Sequence, residues 1–308
     1  MTLRIGHLST FYHTSMLLIA KGEMRTDVRW NLFPTGPALV DAFQKGEIDM
    51  AYIGLPPAII GIDKGVRITC IAGGHIEGTV IIGRVTDRGF PDEESLRDII
   101  IQFRGLRVGV PGKGSIHDVI LSEYLERFHL KNDVEVINFR WADQIVDAMY
   151  KGPVSAAVGT PALAVSLARY ARGKILYPPS KLWPNNPSYG ILVERSFLKE
   201  HRSDVEQFLM LHEEATSMLR NRPAESAKII ADFTGIVDED FVLDTLKISP
   251  KYCSKITDEY ISSTMKFVAV LKKLGYIRRA VSSNEIFDTS LINKLHPAKD
   301  HYQDGLAI

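Results

Sequence analysis

Short apolar segments typical of strands alternate with amphipathic segments typical of helices along most of the chain. The predicted strands are 3–8, 28–33, 48–53, 67–72, 79–83, 106–110, 134–139, 154–158, 175–177 and 189–193. The predicted helices are 14–21, 37–44, 56–63, 90–104, 115–129, 143–150, 160–170, 204–220, 223–233, 238–246 and 257–274. This alternation predicts parallel sheets joined by right-handed helical crossovers. Beyond residue 295 the chain is polar, and we expect a loosely held tail.

The pattern repeats itself once, and the second copy begins near residue 106. The matching segments are 3–6 with 106–109, 40–51 with 146–157, and 54–56 with 159–161. Repeats this far apart are too sparse for a solenoid. We therefore predict two similar α/β lobes, an arrangement that normally holds a small molecule between its halves.

The loops that follow the predicted strands are candidates for a binding site. Ligands of parallel α/β sheets bind beyond the carboxyl ends of the strands. These loops are predicted at 9–13, 34–37, 54–57, 111–115, 141–143 and 159–161. Each leads into a helix N-terminus, where backbone N–H groups lack partners and the helix dipole is positive. Several such ends in one cleft predict a receptor for a carboxylate, sulfonate, phosphate or polar heterocycle.

The composition is that of a soluble globular protein with room for two domains. The chain has 308 residues, of which 45% are apolar and 24% are charged, and its formal net charge is zero. Because no segment is rich in Lys or Arg, the electrostatic signature of a nucleic-acid partner is missing. Cys70 and Cys253 are too few for a disulfide framework or a thiolate zinc site.

No segment of the sequence predicts membrane insertion or export. The longest apolar stretch, 51–62, is interrupted by Pro56 and Pro57 and is too short to cross a bilayer. Residues 1–20 lack the ordered basic, apolar and small-residue regions of a signal peptide. We therefore expect a cytoplasmic protein, and a periplasmic or extracellular location is the alternative if a leader has been removed.

Six segments stand in a characteristic order and spacing. They read Arg-Ile-Gly at 4–6, Phe-Pro-Thr-Gly-Pro-Ala-Leu at 33–39, Lys-Gly-Glu-Ile-Asp at 45–49, Gly-Leu-Pro-Pro at 54–57, Ile-Ala-Gly-Gly at 71–74 and Leu-Arg-Val-Gly-Val-Pro-Gly-Lys-Gly-Ser at 106–115. As an ordered set they resemble the solute-binding proteins of the nitrate/sulfonate/taurine transporter family, which has cytosolic relatives similar to thiamine-pyrimidine synthases. The likeness extends from residue 3 to about residue 274.

The resemblance implies an α/β fold of the two-lobed type II periplasmic-binding-protein class. Each lobe would be a mostly parallel sheet flanked by helices. Residues 1–86 and 189–308 would form the first lobe, and residues 87–188 the second. Two strands near 80–86 and 189–193 would form the hinge. A ligand that contacts both lobes would then favour the closed state.

We expect ligand contacts in the loops and in the glycine-rich segment 73–79. The candidate residues are Ser9, Thr10, Tyr12, His13, Thr35, Gly36, Leu55, His75, Glu77, Thr79, Gly114, Ser115, Thr160 and Ser188. Thr35 and Ser115 would serve equally well as helix caps, because capping and ligand binding use the same geometry. The candidates for an aromatic wall against a flat ligand are Tyr12, Trp141, Trp183 and Tyr189.

The sequence contains no recognisable metal, cofactor or nucleotide motif. His13, His75 and His117, with Glu77, could bind zinc or transfer protons, but their spacing matches no ligand motif. The turn that ends at Ser115 is not a phosphate loop, because glycine separates its Lys from its Ser. We expect no cofactor and no metal.

The leading hypothesis is capture of one small polar or anionic organic molecule by hinge closure. An ABC permease would be the partner if the protein is exported. The alternative is a cytosolic enzyme on the same fold, acting on a thiamine-pyrimidine or menaquinone precursor with His13, His75 or Glu77 as acid–base groups. A ligand-sensing regulator is disfavoured because no DNA-binding segment accompanies the lobes.

Overall fold

The computed structural model describes residues 2–307. Ten strands lie in this range: β1 Thr2–Leu8, β2 Asp27–Phe33, β3 Met50–Ile53, β4 Ile68–Ile76, β5 Val80–Arg84, β6 Arg107–Pro111, β7 Glu135–Phe139, β8 Ala156–Gly159, β9 Gly173–Ile175 and β10 Pro187–Glu194. Fifteen helices lie in the same range: α1 Thr14–Lys21, α2 Gly36–Gln44, α3 Leu55–Asp63, α4 Leu96–Ile101, α5 Ile116–Arg127, α6 Ala142–Lys151, α7 Pro161–Tyr170, α8 Pro179–Leu182, α9 Arg195–Glu200, α10 Arg202–Asn221, α11 Pro223–Thr234, α12 Glu239–Ile248, α13 Asp258–Lys273, α14 Ser283–Ile286 and α15 Ser290–Leu295. Met1 and Ile308, which the expected first lobe includes, lie outside the described residues.

Two five-stranded sheets form the framework of residues 2–307, and they share one strand order. The first sheet has the order β2-β1-β3-β10-β4, and the second has the order β7-β6-β8-β5-β9. In each sheet one strand, β10 or β5, runs antiparallel to both of its neighbours. The remaining pairs are parallel, so the prediction of mostly parallel sheets flanked by helices is confirmed.

The repeat in the sequence corresponds to equivalent strand pairs. Gly6 of β1 pairs with Ala51 of β3, and Gly109 of β6 pairs with Ala157 of β8. These four residues occupy matching positions in the repeated segments. The two sheets are therefore duplicated in register as well as in strand order.

The two paired glycines allow helices to pack closely on their strands. A Cβ atom on Gly6 would clash with Cδ2 of Leu39 in α2. A Cβ atom on Gly109 would lie 3.1 Å from Cγ2 of Ile145 in α6. The helix–strand contact in the first sheet is thus the tighter of the two.

The strand expected at the first hinge crossing belongs to the second sheet. It is β5, which pairs with β8 and β9. The chain passes from the first sheet to the second between Ile76 and Val80, and it returns to the first sheet at Pro187. The expected lobe boundaries and hinge strands stay a prediction.

Several helices differ from their predicted bounds, and two of them show the effect of local capping. The segment 90–104 is an α-helix only at Leu96–Ile101, since Ser95 caps the helix at that point. The segment 143–150 is a helix that begins one residue earlier than predicted, at Ala142, because the N-cap is Trp141 and Asp143 lies in the first turn.

The C-terminal third of the chain packs mainly on the first sheet. Phe208 of α10 shares a buried core with Leu3 of β1 and Met50 of β3. The tail beyond residue 295 is held as well, contrary to expectation, because buried Tyr302 donates its hydroxyl hydrogen to the Lys255 carbonyl oxygen at 2.9 Å. Among the helices of residues 2–307, none is both long and apolar enough to cross a membrane.

Candidate functional site

A cavity of about 340 Å³ lies where the carboxyl ends of strands from both sheets meet. Its wall includes the starts of α1, α2 and α3, which follow strands of the first sheet. It also includes the starts of α5, α6 and α7, which follow strands of the second sheet. This is the position that ligands occupy in parallel α/β sheets. The expected contacts that line the cavity are Ser9, Thr10, Tyr12, His13, Thr35, Gly36, Ser115, Thr160 and Ser188.

Three hydroxyl residues of the wall are helix caps. The side-chain oxygens of Thr35, Ser115 and Thr160 each accept a hydrogen bond from a backbone N–H group three residues later. Ser115 also donates its hydroxyl hydrogen to the Pro111 carbonyl oxygen at 2.8 Å. The hydroxyl hydrogens of Thr35 and Thr160 have no acceptor within the described residues. Capping therefore leaves these two threonines free to donate to a ligand.

Two more wall residues carry buried polar atoms without a partner in residues 2–307. Thr10 is 7% exposed and His13 is 2% exposed, yet Thr10 Oγ1 and His13 Nδ1 make no hydrogen bond there. An unsatisfied buried polar atom costs on the order of 1–3 kcal/mol. A ligand or a water molecule in the cavity would remove that cost.

Burial keeps His13 uncharged. It holds the pKa of His13 well below its ordinary value, and the nearby His75 lowers it further. The centroid of the His13 ring lies 4.0 Å from that of Tyr189 and 4.7 Å from that of Tyr12. A neutral imidazole offers one donor and one acceptor, so His13 presents no positive charge to the cavity.

A buried hydrogen-bond chain behind His13 holds the start of α1 in place. His212 Nε2 lies 2.8 Å from the Gly73 carbonyl oxygen and must donate to it, so Nδ1 accepts from the Thr14 hydroxyl at 2.7 Å. Thr14 Oγ1 in turn accepts from the Tyr52 hydroxyl at 3.2 Å. Burial lowers the pKa of His212 to about 4, which keeps its ring neutral.

The second sheet contributes His117 to the wall. Its Nδ1 lies 3.0 Å from Oγ1 of Thr79, and burial lowers its pKa to about 3. Thr79 itself does not line the cavity, but its hydroxyl orients the His117 ring, which does. His117 is absent from the expected ligand contacts. Its place in the first turn of α5, two residues after the N-cap Ser115, is the signal that could have identified it.

The four aromatic candidates divide evenly. Tyr12 and Trp141 line the cavity. Tyr189 is fully buried within the first sheet, and Trp183 stacks on Phe267 with ring centroids 4.2 Å apart. The last two are core residues in this structure.

Two wall residues have no signal in the sequence that would place them there. Ser166 and Ile236 both line the cavity, whereas Phe11, which also lines it, belongs to the predicted loop 9–13. Ile236 lies in the loop between α11 and α12, and it reaches the cavity because α12 packs on α7 of the second sheet. Such a contact depends on helix packing rather than on local sequence.

Expected contacts that do not line the cavity are Leu55, His75, Glu77, Thr79 and Gly114. Leu55 is fully buried in the core. Gly114 adopts a φ of 82° and donates its N–H to the Asp118 carboxylate at 2.7 Å. Its glycine identity is therefore explained by the turn, since L side chains rarely adopt this backbone conformation.

The acid–base candidates do not converge on the cavity. His75 is fully buried because β4 extends through it, and its Nε2 donates to the Ser249 carbonyl oxygen at 2.5 Å. Glu77 Oε2 lies 2.8 Å from Lys251 Nζ. His13 does line the cavity, so the enzyme alternative retains one of its three named groups. Across residues 2–307, no three His, Cys, Asp or Glu side chains lie close enough together to hold a metal ion.

The wall carries little charge. Asp143, an exposed residue in the first turn of α6, contributes a carboxylate. No Lys or Arg of the described residues lines the cavity. Lys113, in the turn before α5, is exposed and lies outside the wall.

Known proteins share this architecture. A Bacillus subtilis (strain 168) protein named for aliphatic sulfonate binding is 23% identical over 270 residues, which cover 87% of this chain and 78% of that protein. The alkanesulfonate-binding protein SsuA from Xanthomonas axonopodis pv. citri, solved bound to MOPS, is 19% identical, with a TM-score of 0.78 over 93% of this chain and 98% of its own. The periplasmic aliphatic sulphonate binding protein SsuA from Escherichia coli is 18% identical, with a TM-score of 0.76 over 94% of this chain and 92% of its own. These structures confirm the expected two-lobed type II fold.

A family model matches most of the chain. The model of the NMT1-like family matches residues 2–234. This range contains both sheets and every residue of the cavity wall except Ile236. Because the match extends over well more than half of the sequence, the chain belongs to the NMT1-like family.

Proposed function

We propose that the protein captures one small organic molecule in the cavity between its two sheets, as the ligand-binding component of an uptake system. The observation that carries this proposal is that helix starts from both sheets share one wall. That wall offers free hydroxyl hydrogens from Thr35 and Thr160 and unpartnered atoms from Thr10 and His13. A molecule that contacts both sheets stabilises the arrangement in which they are close together.

The proposed movement is a closure of two lobes about the connections beside β5 and β10. The lobes in this proposal are residues 1–86 with 189–308, and residues 87–188. Side chains already join the two units in the structure, since the Tyr276 hydroxyl donates to Asp118 at 2.6 Å. Opening of the cleft would have to break or move such contacts, so they set the balance between open and closed states.

Relatives favour a role in import and a location outside the inner membrane. The E. coli relative is described as periplasmic, and it and the Xanthomonas protein are described as sulfonate-binding. We extend the location to this chain and name an ABC permease as its partner, in place of the cytoplasmic expectation. Fractionation of cells that express the gene with its native upstream region tests this. Protein found wholly in the cytoplasmic fraction would reject it.

Ligand binding is testable by thermal shift and calorimetry on the purified protein. A suitable panel contains alkanesulfonates, nitrate, bicarbonate, pyrimidines, aromatic acids and aromatic amides. A compound present at about 100 times its Kd should stabilise the fold by about 2.7 kcal/mol and raise the melting temperature.

A matched pair of variants connects any shift to the cavity. Ser9→Trp places an indole against the cavity and should abolish the shift. Ser203→Trp makes the same change at an exposed position of α10 and should preserve it. A panel that produces no shift, or an undiminished shift in Ser9→Trp, would reject the proposed function.

A further inference from the structure

Three of the six helix starts around the cavity, those of α2, α3 and α7, lack many of the N–H donors that oxyanion binding uses. Of the first three positions in each of α2, α3 and α7, four are proline and have no N–H group. Two more N–H groups are already bonded to the capping threonines. The remaining first-turn donors of these three helices belong to Gly36, Leu55 and Ala162. Of these three residues and the four prolines, Pro57, Gly36 and Ala162 line the cavity.

Charge does not replace the missing donors. No Lys or Arg within residues 2–307 lines the cavity, and burial keeps the pKa values of His13 and His117 low, so both rings are neutral. Asp143 adds a negative charge at the start of α6, where the helix dipole would otherwise favour an anion. Taking a full negative charge out of water without a counter-charge is costly.

The size and surface of the cavity fit an organic ring. Its volume of about 340 Å³ lies within the range of roughly 300–1,000 Å³ that organic ligands occupy. That is on the order of ten times the roughly 30 Å³ share of one water molecule, so a small inorganic ion would leave most of it unfilled. Phe11, Tyr12 and Trp141 supply aromatic faces or edges, and Pro34 and Pro57 supply apolar surface.

We infer that the site takes an uncharged, flat organic molecule that has an aromatic or heteroaromatic ring and one carbonyl-type acceptor, in preference to sulfonates, carboxylates and nitrate. The inference rests on the proposed function and names its substrate class. The carbonyl-type acceptor would accept two hydrogen bonds. One would come from the Thr35 hydroxyl on the side of the first sheet, and the other from the Thr160 hydroxyl on the side of the second sheet. One ligand group would in this way connect both halves of the wall.

Three probes that share one ring test the preference. Benzamide, benzoate and benzenesulfonate differ mainly in the charge and shape of the head group, and nitrate represents a head group without a ring. Calorimetry at neutral pH should show benzamide binding at least about tenfold more tightly than benzoate or benzenesulfonate, and nitrate binding most weakly. Tenfold corresponds to about 1.4 kcal/mol. Equal or tighter binding of benzoate, benzenesulfonate or nitrate would overturn the inference, and so would failure of benzamide to bind.

These outcomes are separable from those of the proposed function. Tight binding of an anion contradicts the substrate class but supports capture of a small molecule. Failure of benzamide alone likewise rejects only the substrate class, because the broader panel with Ser9→Trp decides whether the cavity binds anything.

Hydroxyl variants test the two donors. The double variant Thr35→Val with Thr160→Val should lower benzamide affinity by about tenfold or more, since two hydrogen bonds are lost. Thr35→Ser with Thr160→Ser keeps both hydroxyls and both caps, and it should stay within about threefold of the parent. Thr264→Val makes the same chemical change on α13, away from the cavity, and should have no effect. Unchanged affinity in the double valine variant would overturn the role of these hydroxyls.

A proline variant tests the missing donors in the opposite direction. Pro57→Ala restores an N–H group in the first turn of α3, at a proline that lines the cavity. It should raise benzenesulfonate affinity by about fivefold, the worth of roughly one net hydrogen bond, and leave benzamide affinity nearly unchanged. An equal gain for both probes, or a gain for neither, would contradict proline as a determinant of ligand charge.

Discussion

The loops that follow equivalent strands of the two sheets present different chemistry to the cavity. After β3 the first sheet has Leu55, which is fully buried, whereas after β8 the second has Thr160, which lines the cavity and caps α7. The helix starts after β1 and β6 differ as well, with His13 at one and Ser115 at the other. A duplicated backbone thus provides matching positions, and the side chains at those positions decide which half supplies each ligand contact.

The two halves also differ in their buried histidines. His13, His75 and His212 lie on the first sheet's side of the cavity, and His117 lies on the second's. On the first side His212 is hydrogen-bonded to the Thr14 hydroxyl and His75 to the Ser249 carbonyl oxygen, whereas on the second side His117 has Thr79 as its hydrogen-bond partner. The first half is therefore the more sensitive to protonation.

Acid should have the largest effect, and that effect should be greater in the first half, which holds more of the buried histidines around the cavity. Burial lowers the pKa of His75 and of His212 to about 4, against about 6.5 when unfolded. As the pH falls below 6.5, the unfolded chain binds these protons before the folded one does. The contribution of these histidines to the free energy of unfolding is therefore fully present above pH 6.5. It declines towards pH 4, by about 1.4 kcal/mol per pH unit for each histidine. Urea unfolding between pH 7 and 4.5 measures this slope.

Hydrogen exchange locates the acid effect within the molecule. Protection should decrease more in β4, α1 and α10 than in α5, because three of the buried histidines lie on the first side and one lies on the second. His75→Gln should reduce the pH slope by about one proton, and His117→Gln makes the same substitution in the second half. A stability independent of pH, or a larger loss of protection in α5 than in β4, α1 and α10, would contradict the assignment.

Leu55 and Thr160 occupy equivalent loop positions, and exchanging their residue types should lower the free energy of unfolding by different amounts. Leu55→Thr puts a hydroxyl into the core and removes apolar contacts, at a cost of about 2–3 kcal/mol. Thr160→Leu removes a helix cap, at a cost of about 1 kcal/mol. Urea unfolding at neutral pH compares the two. A larger loss for Thr160→Leu would contradict the view that Leu55 is a core residue and that Thr160 mainly caps a helix.

The paired glycines provide a test of packing in each sheet. Gly6→Ala should cost about 2 kcal/mol because its Cβ clashes with Leu39 in the core. Gly109→Ala should cost about 1 kcal/mol or less, because its nearest neighbour, Ile145, lies at 3.1 Å and can shift slightly. Midpoints of thermal and urea unfolding would rank the two variants. The reverse order would mean that the second sheet is packed more tightly.

Removal of a contact between the halves should have the smallest effect. Arg169 of α7 lies 2.8 Å from Asp238 at the start of α12, and its side chain is 28% exposed. Arg169→Ala should cost about 0.5–1 kcal/mol, because partly exposed ion pairs contribute little. The loss should shrink in high salt. A cost several times larger, or one insensitive to salt, would mean that the contact between α7 and α12 contributes much more to stability than a partly exposed ion pair does.

Much of the fold could be predicted because its determinants are local. The helix Thr14–Lys21 and the threonine–proline start of α7 have the bounds that their periodicity and capping residues indicate. The segment 90–104 was predicted less well, because a strong cap at Ser95 begins the helix late. Tyr302 shows the same limit at the C-terminus, since one buried aromatic side chain holds a tail of polar composition.

Most of the cavity wall that could be predicted lies where a loop follows a strand, and Ser188 at the start of β10 is the exception among the expected contacts. Thr35, Ser115 and Thr160 stand at such loops, and they line the cavity. His75 and Glu77 lie in a glycine-rich segment that resembles a binding loop. In the structure β4 extends through His75. The Glu77 carboxylate forms an ion pair with Lys251 and accepts a hydrogen bond from the Asn185 backbone N–H. Those partners lie far away along the chain, so no local pattern could reveal them.

The sequence by itself determined that there are two similar α/β halves and that their helix starts face a common site. Periodicity, capping residues and an internal repeat are features of the order of residues along the chain, so they can be identified from the sequence alone. Only the tertiary structure decided which polar atoms remain free in the wall and which charges are absent from it. Those features depend on contacts such as Thr14 with His212 and α12 with α7, which form between distant segments when the helices pack.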